Sequence, residues 1–250
     1  MDSRNNPILV IKIGTHALLG EHEMPKMMFD RVADTIRGLT DQYRILLVTS
    51  GAIGFGVRAL DLKFRPTDIN QLQALAMVGQ AGLLRRWREA FDETMIGQVL
   101  VTRHDLANDE VTHTLMRSIE AVWSYGAIPI VNENDAVSHE EISFSDNDQL
   151  AAEIVAAIGA SYLVLLTDQD GIQADFGTST QRRIEVANLN DIERYIMPTK
   201  SSLGRGGLSS KVAAATVALN AEADVYIGLL DETHGIADIL SGKSGTRIVQ

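Results

Sequence analysis

The sequence predicts an α/β protein: a three-layer αβα sandwich built on a mainly parallel, open sheet. Three observations predict it. Apolar, β-branched runs recur along the chain, stretches of helical periodicity separate most of them, and no repeat, low-complexity tract or Pro/Gly-rich linker interrupts the alternation. Strands that alternate with helices make βαβ units, whose crossovers lay helices on both faces of a parallel sheet. The strand candidates are ILVIKI (8–13), RILLVTS (44–50), IGQVLVT (96–102), AIPIV (127–131), YLVLLTD (162–168) and DVYIGLL (224–230). The clearest helical stretches are 25–43, 68–95, 109–125, 147–158 and 208–221. A chain of 250 residues fits a single domain of this kind, residues 1–250.

Composition narrows the function. Apolar residues are 45% and charged residues 22%, the balance of a soluble globular protein. The absence of Cys excludes disulfides, thiolate catalysis and cysteine-ligated metals. The start MDSRNNP is too polar for a signal peptide, and the apolar run 154–167 is too short to span a bilayer. A cytoplasmic protein without membrane contact is expected. A net charge of −11 and an aromatic content of 5% argue against nucleic acid as a partner.

The charge is unevenly placed. Between Ser118 and Gln181 there is no Lys or Arg, yet this stretch holds eleven of the 33 acidic residues, enough to account for the whole net charge. At its centre lies IVNENDAVSHEEISFSDNDQL (130–150), with carboxylates and Asn crowded between two apolar segments. A solvated acidic face is one reading. The mixing of acids with Asn at strand ends favours a binding site.

In parallel sheets ligands collect at the C-terminal strand ends. Here those ends read IKIGTH, LVTSGAIG, LVTRHD, IVNENDA and LLTDQDG, each polar or glycine-bearing. Lys12 interrupts an apolar strand, either snorkelling from an edge or held to meet a phosphate. Gly14 after it lets a ligand approach the backbone. Ser50 and Gly51 precede a helix, as a plain N-cap or as an anion-binding turn. The spacing of Gly51, Gly54 and Gly56 matches neither a dinucleotide loop nor a P-loop. SLGRGGLSSK (202–211) reads as a Gly-rich loop opening a helix near Leu208, with Lys211 on the first turn. It suits nucleotide phosphates or a capped surface loop. Thr167 and Asp168 could hold a ribose, a base or a metal-linked water, or simply form a turn. The histidines show no metal-ligand spacing.

Taken in order, VIKIGT, LLVTSGAIGFG, ALAMVGQ, GQVLVTR, IVNENDAV, FSDNDQLAA, LLTDQDG and GRGGLSSK resemble the amino acid kinase family, and within it the glutamate kinases. The resemblance runs from about Leu9 to Ile248. It implies transfer of the ATP γ-phosphoryl group to the side-chain carboxylate of L-glutamate, with Mg²⁺, as the first step of proline synthesis. It implies a short form without the small C-terminal PUA domain, a homo-oligomer (dimer or tetramer), and hand-off of the product to glutamyl phosphate reductase. Residue by residue, Lys12 and Lys211 match the phosphate lysines and Asp148 an aspartate that holds them. Ser50, Gly51, Asn132, Asp135 and Asn147 match the glutamate-binding region. Gly14, Thr167, Asp168, Arg205, Gly206, Gly207, Leu208, Ser209 and Ser210 join the lysines as nucleotide-binding positions. The sequence departs from the family at His16, Ser145, Asp170, Leu208 and the stretch QADFGTSTQRR.

The chemistry is consistent with these residue types. A carboxylate acceptor is ionised at neutral pH and needs no general base. What it needs is charge neutralisation and in-line positioning, since it approaches a polyanion. The substrate ammonium requires acceptors, which Asp135 and the carbonyl oxygen of Asn132 or Asn147 supply. The α-carboxylate is expected on backbone N–H groups near Ser50 and Gly51. The segment 138–145 is expected to form a short flap. Other kinases of the same fold, acting on acetylglutamate, aspartate, carbamate or a nucleotide, remain open, as does a non-catalytic sensor.

Overall fold

A computed structural model describes residues 5–19, 26–138, 147–195 and 202–250. Ten strands and nine helices lie within them. The strands are β1 (Ile8–Ile13), β2 (Arg44–Val48), β3 (Ile96–Val101), β4 (Ile128–Glu133), β5 (Tyr162–Thr167), β6 (Gln173–Ala174), β7 (Arg182–Arg183), β8 (Val186–Asn188), β9 (Asp224–Leu229) and β10 (Thr246–Val249). The helices are α1 (Thr15–Leu19), α2 (Lys26–Arg37), α3 (Ala52–Ala59), α4 (Ile69–Phe91), α5 (Arg103–Leu106), α6 (Asp109–Ser124), α7 (Asn147–Ile158), α8 (Ser202–Asn220) and α9 (Ile236–Leu240).

The chain divides into two compact units. One takes the chain as far as Lys12, then Leu39–Ile45 and everything from Asp148 onward; the other takes Ile13–Gly38 and Leu46–Asn147. In the second unit the strand order is β3-β4-β2, and both pairings are parallel. Helices α4 and α6 lie against β3 and β4. In the first unit the order is β1-β5-β9-β10-β8, with β5–β9 and β10–β8 parallel and β9–β10 antiparallel. Helices α8 and α9 cover β9 there.

All six predicted strands form, and β1 and β4 are buried along their whole length. Strand β4 continues two residues beyond the apolar run, so Asn132 and Glu133 are strand residues and both are buried. Helix α7 begins at Asn147, as its periodicity indicates. Helix α4 starts after Asp68, whose carboxylate accepts from Gln71 N at 3.0 Å. The short strands β6, β7, β8 and β10 lack the long apolar run that marks a central strand. The Gly-rich stretch before Lys211 is a correction: α8 runs from Ser202, so Lys211 sits on its third turn. Glycine disfavours a helix by about 1 kcal/mol relative to Ala, which is why the stretch reads as a loop.

Glycines decide how α3 meets α4. A Cβ on Gly79 would stand 1.9 Å from the carbonyl oxygen of Ala52 and 2.3 Å from the nitrogen of Gly56. A Cβ on Gly56 would stand 2.0 Å from the carbonyl oxygen of Leu75. The two backbones therefore touch, and this contact sets the start of α3 beside the middle of α4. On its other side α4 meets α2. Trp87 packs on Phe29 with ring centroids 4.6 Å apart, and Arg86 binds Asp30 at 2.6 Å. Gly79→Ala is expected to cost about 3 kcal/mol or more, the upper range of overpacking, because backbone atoms cannot move aside as a side chain can. A urea melt of the variant against the parent measures it.

Candidate active site

Buried charge organises the first unit. Lys12, on the apolar strand β1, is 4% exposed, and Asp148, on the first turn of α7, is 1% exposed. Lys12 Nζ lies 2.5 Å from Asp148 Oδ1, and Lys211 Nζ lies 2.7 Å from Asp148 Oδ2. Ser210 Oγ also donates to Oδ2, at 3.1 Å. Burial alone would raise the pKa of Asp148, but the two ammonium groups outweigh it and hold the carboxyl below the usual range. Two cations on one anion leave one positive charge in excess. Such a group can hold and orient two ammonium groups toward a phosphate without letting them disperse. Lys12 is thus not an edge residue reaching for water; it is held in place by an ion pair.

A network of amides organises the second unit. Asn147 Nδ2 donates to the Thr49 carbonyl at 2.6 Å, to Ser50 Oγ at 2.8 Å and to Asn132 Oδ1 at 3.0 Å. Asn132 Oδ1 accepts a second bond from Glu133 N at 3.0 Å, and Asn132 Nδ2 donates to Gln80 Oε1 at 3.0 Å. Both lone pairs of the Asn132 carbonyl are therefore taken. This corrects the expectation that it could receive an ammonium; its task is to hold Asn147. The carbonyl of Asn147, in contrast, is buried without a hydrogen-bond partner among the described residues. A buried orphan acceptor is costly and fits a ligand that brings a donor.

Gly51 supports the Ser50 side of this network. Its φ of 112° is a left-handed conformation that L-residues avoid, and it is the N-cap of α3. The free N–H groups of that helix start suit a carboxylate. Nearby, Asp135 is half-buried, and its pKa is pushed up to about 6 by burial and by the Glu133 carboxylate, with Arg65 acting the other way. Glu133 itself accepts from Ser138 Oγ at 2.7 Å.

The remaining expected residues are distributed as follows. Gly14 lies in the turn between β1 and α1, its carbonyl accepting from Leu18 N at 3.0 Å. Thr167 ends β5 and donates to Asp168 Oδ1 at 3.1 Å. Arg205, Gly206 and Gly207 are on the backbone of α8, and the side chain of Arg205 lies outside the described residues. Leu208 is half-buried and Ser209 exposed. The expected flap, 138–145, lies outside the described residues except for Ser138. Asp170, a departure from the family pattern, is a structural staple: it accepts from Gly245 N at 2.6 Å and lies 3.5 Å from Arg183 Nε. Among the described residues no three His, Asp or Glu side chains converge as a metal site.

Sequence reading missed Thr49, Gln80 and Glu133. Thr49 is held by Trp87 Nε1, which donates to its Oγ1 at 3.0 Å, and by a bond from its own N–H to the Val131 carbonyl at 2.9 Å. For Gln80 a signal existed. It follows Ala76 and precedes Leu83 and Trp87 at helical spacing, a polar side chain on the buried face of α4.

The sequence profile of the amino acid kinase family matches residues 7–228, and the chain belongs to that family. Among its relatives is the glutamate 5-kinase of Clostridium acetobutylicum, 34% identical over 93% of this chain and 90% of that protein. The glutamate 5-kinase of Mycobacterium tuberculosis is 37% identical over 94% of this chain, which spans 64% of that longer protein. The carbamate kinase of Giardia lamblia, solved bound to AMP-PNP, shares the fold with a TM-score of 0.67, at 17% identity and over 98% of this chain and 99% of that one.

Asp148→Asn removes the charge that both lysines share. It is expected to cost about 3 kcal/mol or more at pH 7, as breaking a buried ion pair does. Because the folded pKa of Asp148 is depressed, its stabilisation is present above the unfolded carboxyl pKa of about 4 and is lost as pH falls through the folded value. Denaturant melts should therefore show parent and variant converging in strong acid.

Proposed function

We propose that this chain is an ATP-dependent kinase that phosphorylates the side-chain carboxylate of L-glutamate, giving glutamyl 5-phosphate for proline biosynthesis. The observation that carries the reading is the Lys12–Asp148–Lys211 cluster, two ammonium groups within 2.7 Å of one buried carboxylate. Identity to glutamate 5-kinases over more than nine-tenths of the chain supports glutamate as the acceptor.

In this reading Lys12 and Lys211 hold the γ-phosphoryl group and offset the charge that develops as it moves. Asp148 keeps both in position. Asp135 and the Asn147 carbonyl receive the substrate ammonium, while Ser50 and the Gly51 turn hold a carboxylate. The acceptor carboxylate arrives ionised, so no residue is needed as a base. Thr167, Asp168 and the start of α8 attend the nucleotide. Mg²⁺ would be carried by the nucleotide phosphates and lower their repulsion toward the acceptor. Residues 1–250 are read as one kinase domain. The protein works in the cytoplasm as a homodimer or tetramer. Exposed Phe64 (84%), Met77 (64%) and Leu100 (39%), all in the second unit, support self-association.

The test is ATP plus glutamate with hydroxylamine, which traps an acyl phosphate as hydroxamate. Glutamate-dependent hydroxamate is expected; none from folded protein would sink the proposal. Lys12→Ala and Lys211→Ala should each lower kcat about 100-fold or more, with a smaller change in the KM for glutamate. Asp135→Ala should chiefly raise that KM, by about tenfold or more.

A pH profile adds a separate check. Asp135 must be ionised to hold an ammonium, so kcat/KM for glutamate should rise with pH through about 6 and level off above it. Asp135→Asn should flatten that limb.

A further inference from the structure

Amide orientation in the second unit is dictated from the backbone outward. The Thr49 carbonyl can only accept, so Asn147 must turn its Nδ2 toward it. The Glu133 N–H can only donate, so Asn132 must turn its Oδ1 that way and its Nδ2 toward α4. Gln80 then has no choice: its Oε1 accepts from Asn132 at 3.0 Å. Its Nε2 is left over and makes no hydrogen bond to another described residue. Among the described residues the network thus leaves the Asn147 carbonyl without a donor and the Gln80 Nε2 without an acceptor.

Gln80 also lines a cavity of about 250 Å³ together with Glu133, Asn134 and Asp135. Two of these are carboxylates. Gln80 and Asn134 supply the only side-chain donors among the lining residues, and of the two it is Gln80 whose orientation the network imposes. An α-amino acid carries an ammonium and a carboxylate on one carbon, so it requires an acceptor and a donor side by side. Asp135 is the acceptor.

We infer that Gln80 is a substrate-binding residue whose Nε2 donates to the α-carboxylate of the acceptor amino acid, sharing that carboxylate with the Gly51 turn. The inference rests on glutamate being the acceptor, and it separates two tasks for Gln80. If Gln80 served only to hold Asn132, any acceptor at its tip would do. If it binds substrate, the donor is what matters.

Gln80→Glu and Gln80→Met in the full chain distinguish these, with hydroxamate formation as the readout. Gln80→Glu keeps an acceptor for Asn132 but replaces the donor with an oxygen that repels a carboxylate. Gln80→Met loses both. Both variants should raise the KM for glutamate about tenfold or more, Gln80→Glu at least as much as Gln80→Met, with the KM for ATP close to parent in both and the Tm close to parent in Gln80→Glu, which keeps the acceptor for Asn132. A Gln80→Glu enzyme with the parent KM would overturn the inference, as would Gln80→Met raising both KM values alike. If Gln80→Glu does not fold, the split between the two KM values in Gln80→Met decides alone. Parent protein that forms no glutamate hydroxamate defeats the functional reading and this inference together; active parent with unaltered variants defeats this inference only.

Discussion

The carboxylate of Asp148 between the ammonium groups of Lys12 and Lys211 is the constraint on which the chemistry of the first unit depends. A lysine within an apolar strand is tolerable only with a partner, because an uncompensated buried charge costs several kcal/mol. The strand β1 supplies the burial, α7 delivers the carboxylate on its first turn, and α8 brings the second lysine. Once these elements are packed, the cluster retains one excess positive charge and little freedom. Preorganised charge of this kind acts without reorganisation cost when a phosphoryl group carries developing negative charge.

The second unit solves the opposite problem. Its strand end is acidic and amide-rich, and in the proposed function it receives a zwitterionic acceptor while leaving few polar atoms unmatched. It does so with amides that correct one another's orientation, anchored by one backbone carbonyl at Thr49 and one backbone N–H at Glu133. Such a network is stiff because each amide has a donor end and an acceptor end, and flipping one breaks several bonds. The close glycine contact between α3 and α4 holds the elements that carry Ser50 and Gln80 at the spacing the amides require. Asn147 and Asp148 are neighbours in sequence, yet one belongs to the amide network and the other to the lysine cluster. Successive residues on a helix start point in different directions, so one peptide bond serves both.

The acidic stretch 130–150 was legible as a candidate site because Asn and acids cluster at strand ends. What it could not reveal was which atoms were already spent. Asn132 and Asn147 are equivalent as residue types, and only the bonds to Glu133 N and Thr49 O distinguish the saturated carbonyl from the orphan. Asp170 illustrates the same point from the other side. By sequence it is a departure from the family pattern just after β5; in the fold it ties the chain to Gly245 and Arg183.

By itself the sequence determined the α/β class, the six long strands, the start of α7, and the lysines and aspartate that carry the charge. These are legible because periodicity and buried charge are local properties of the chain. Tertiary structure decided that Asp148 accepts from both lysines, that α8 begins six residues before Leu208, and that Thr49, Glu133 and Gln80 belong to the amide network. Those facts depend on hydrogen-bond partners brought together from distant segments, and no spacing along the chain records which lone pair or N–H each partner will take.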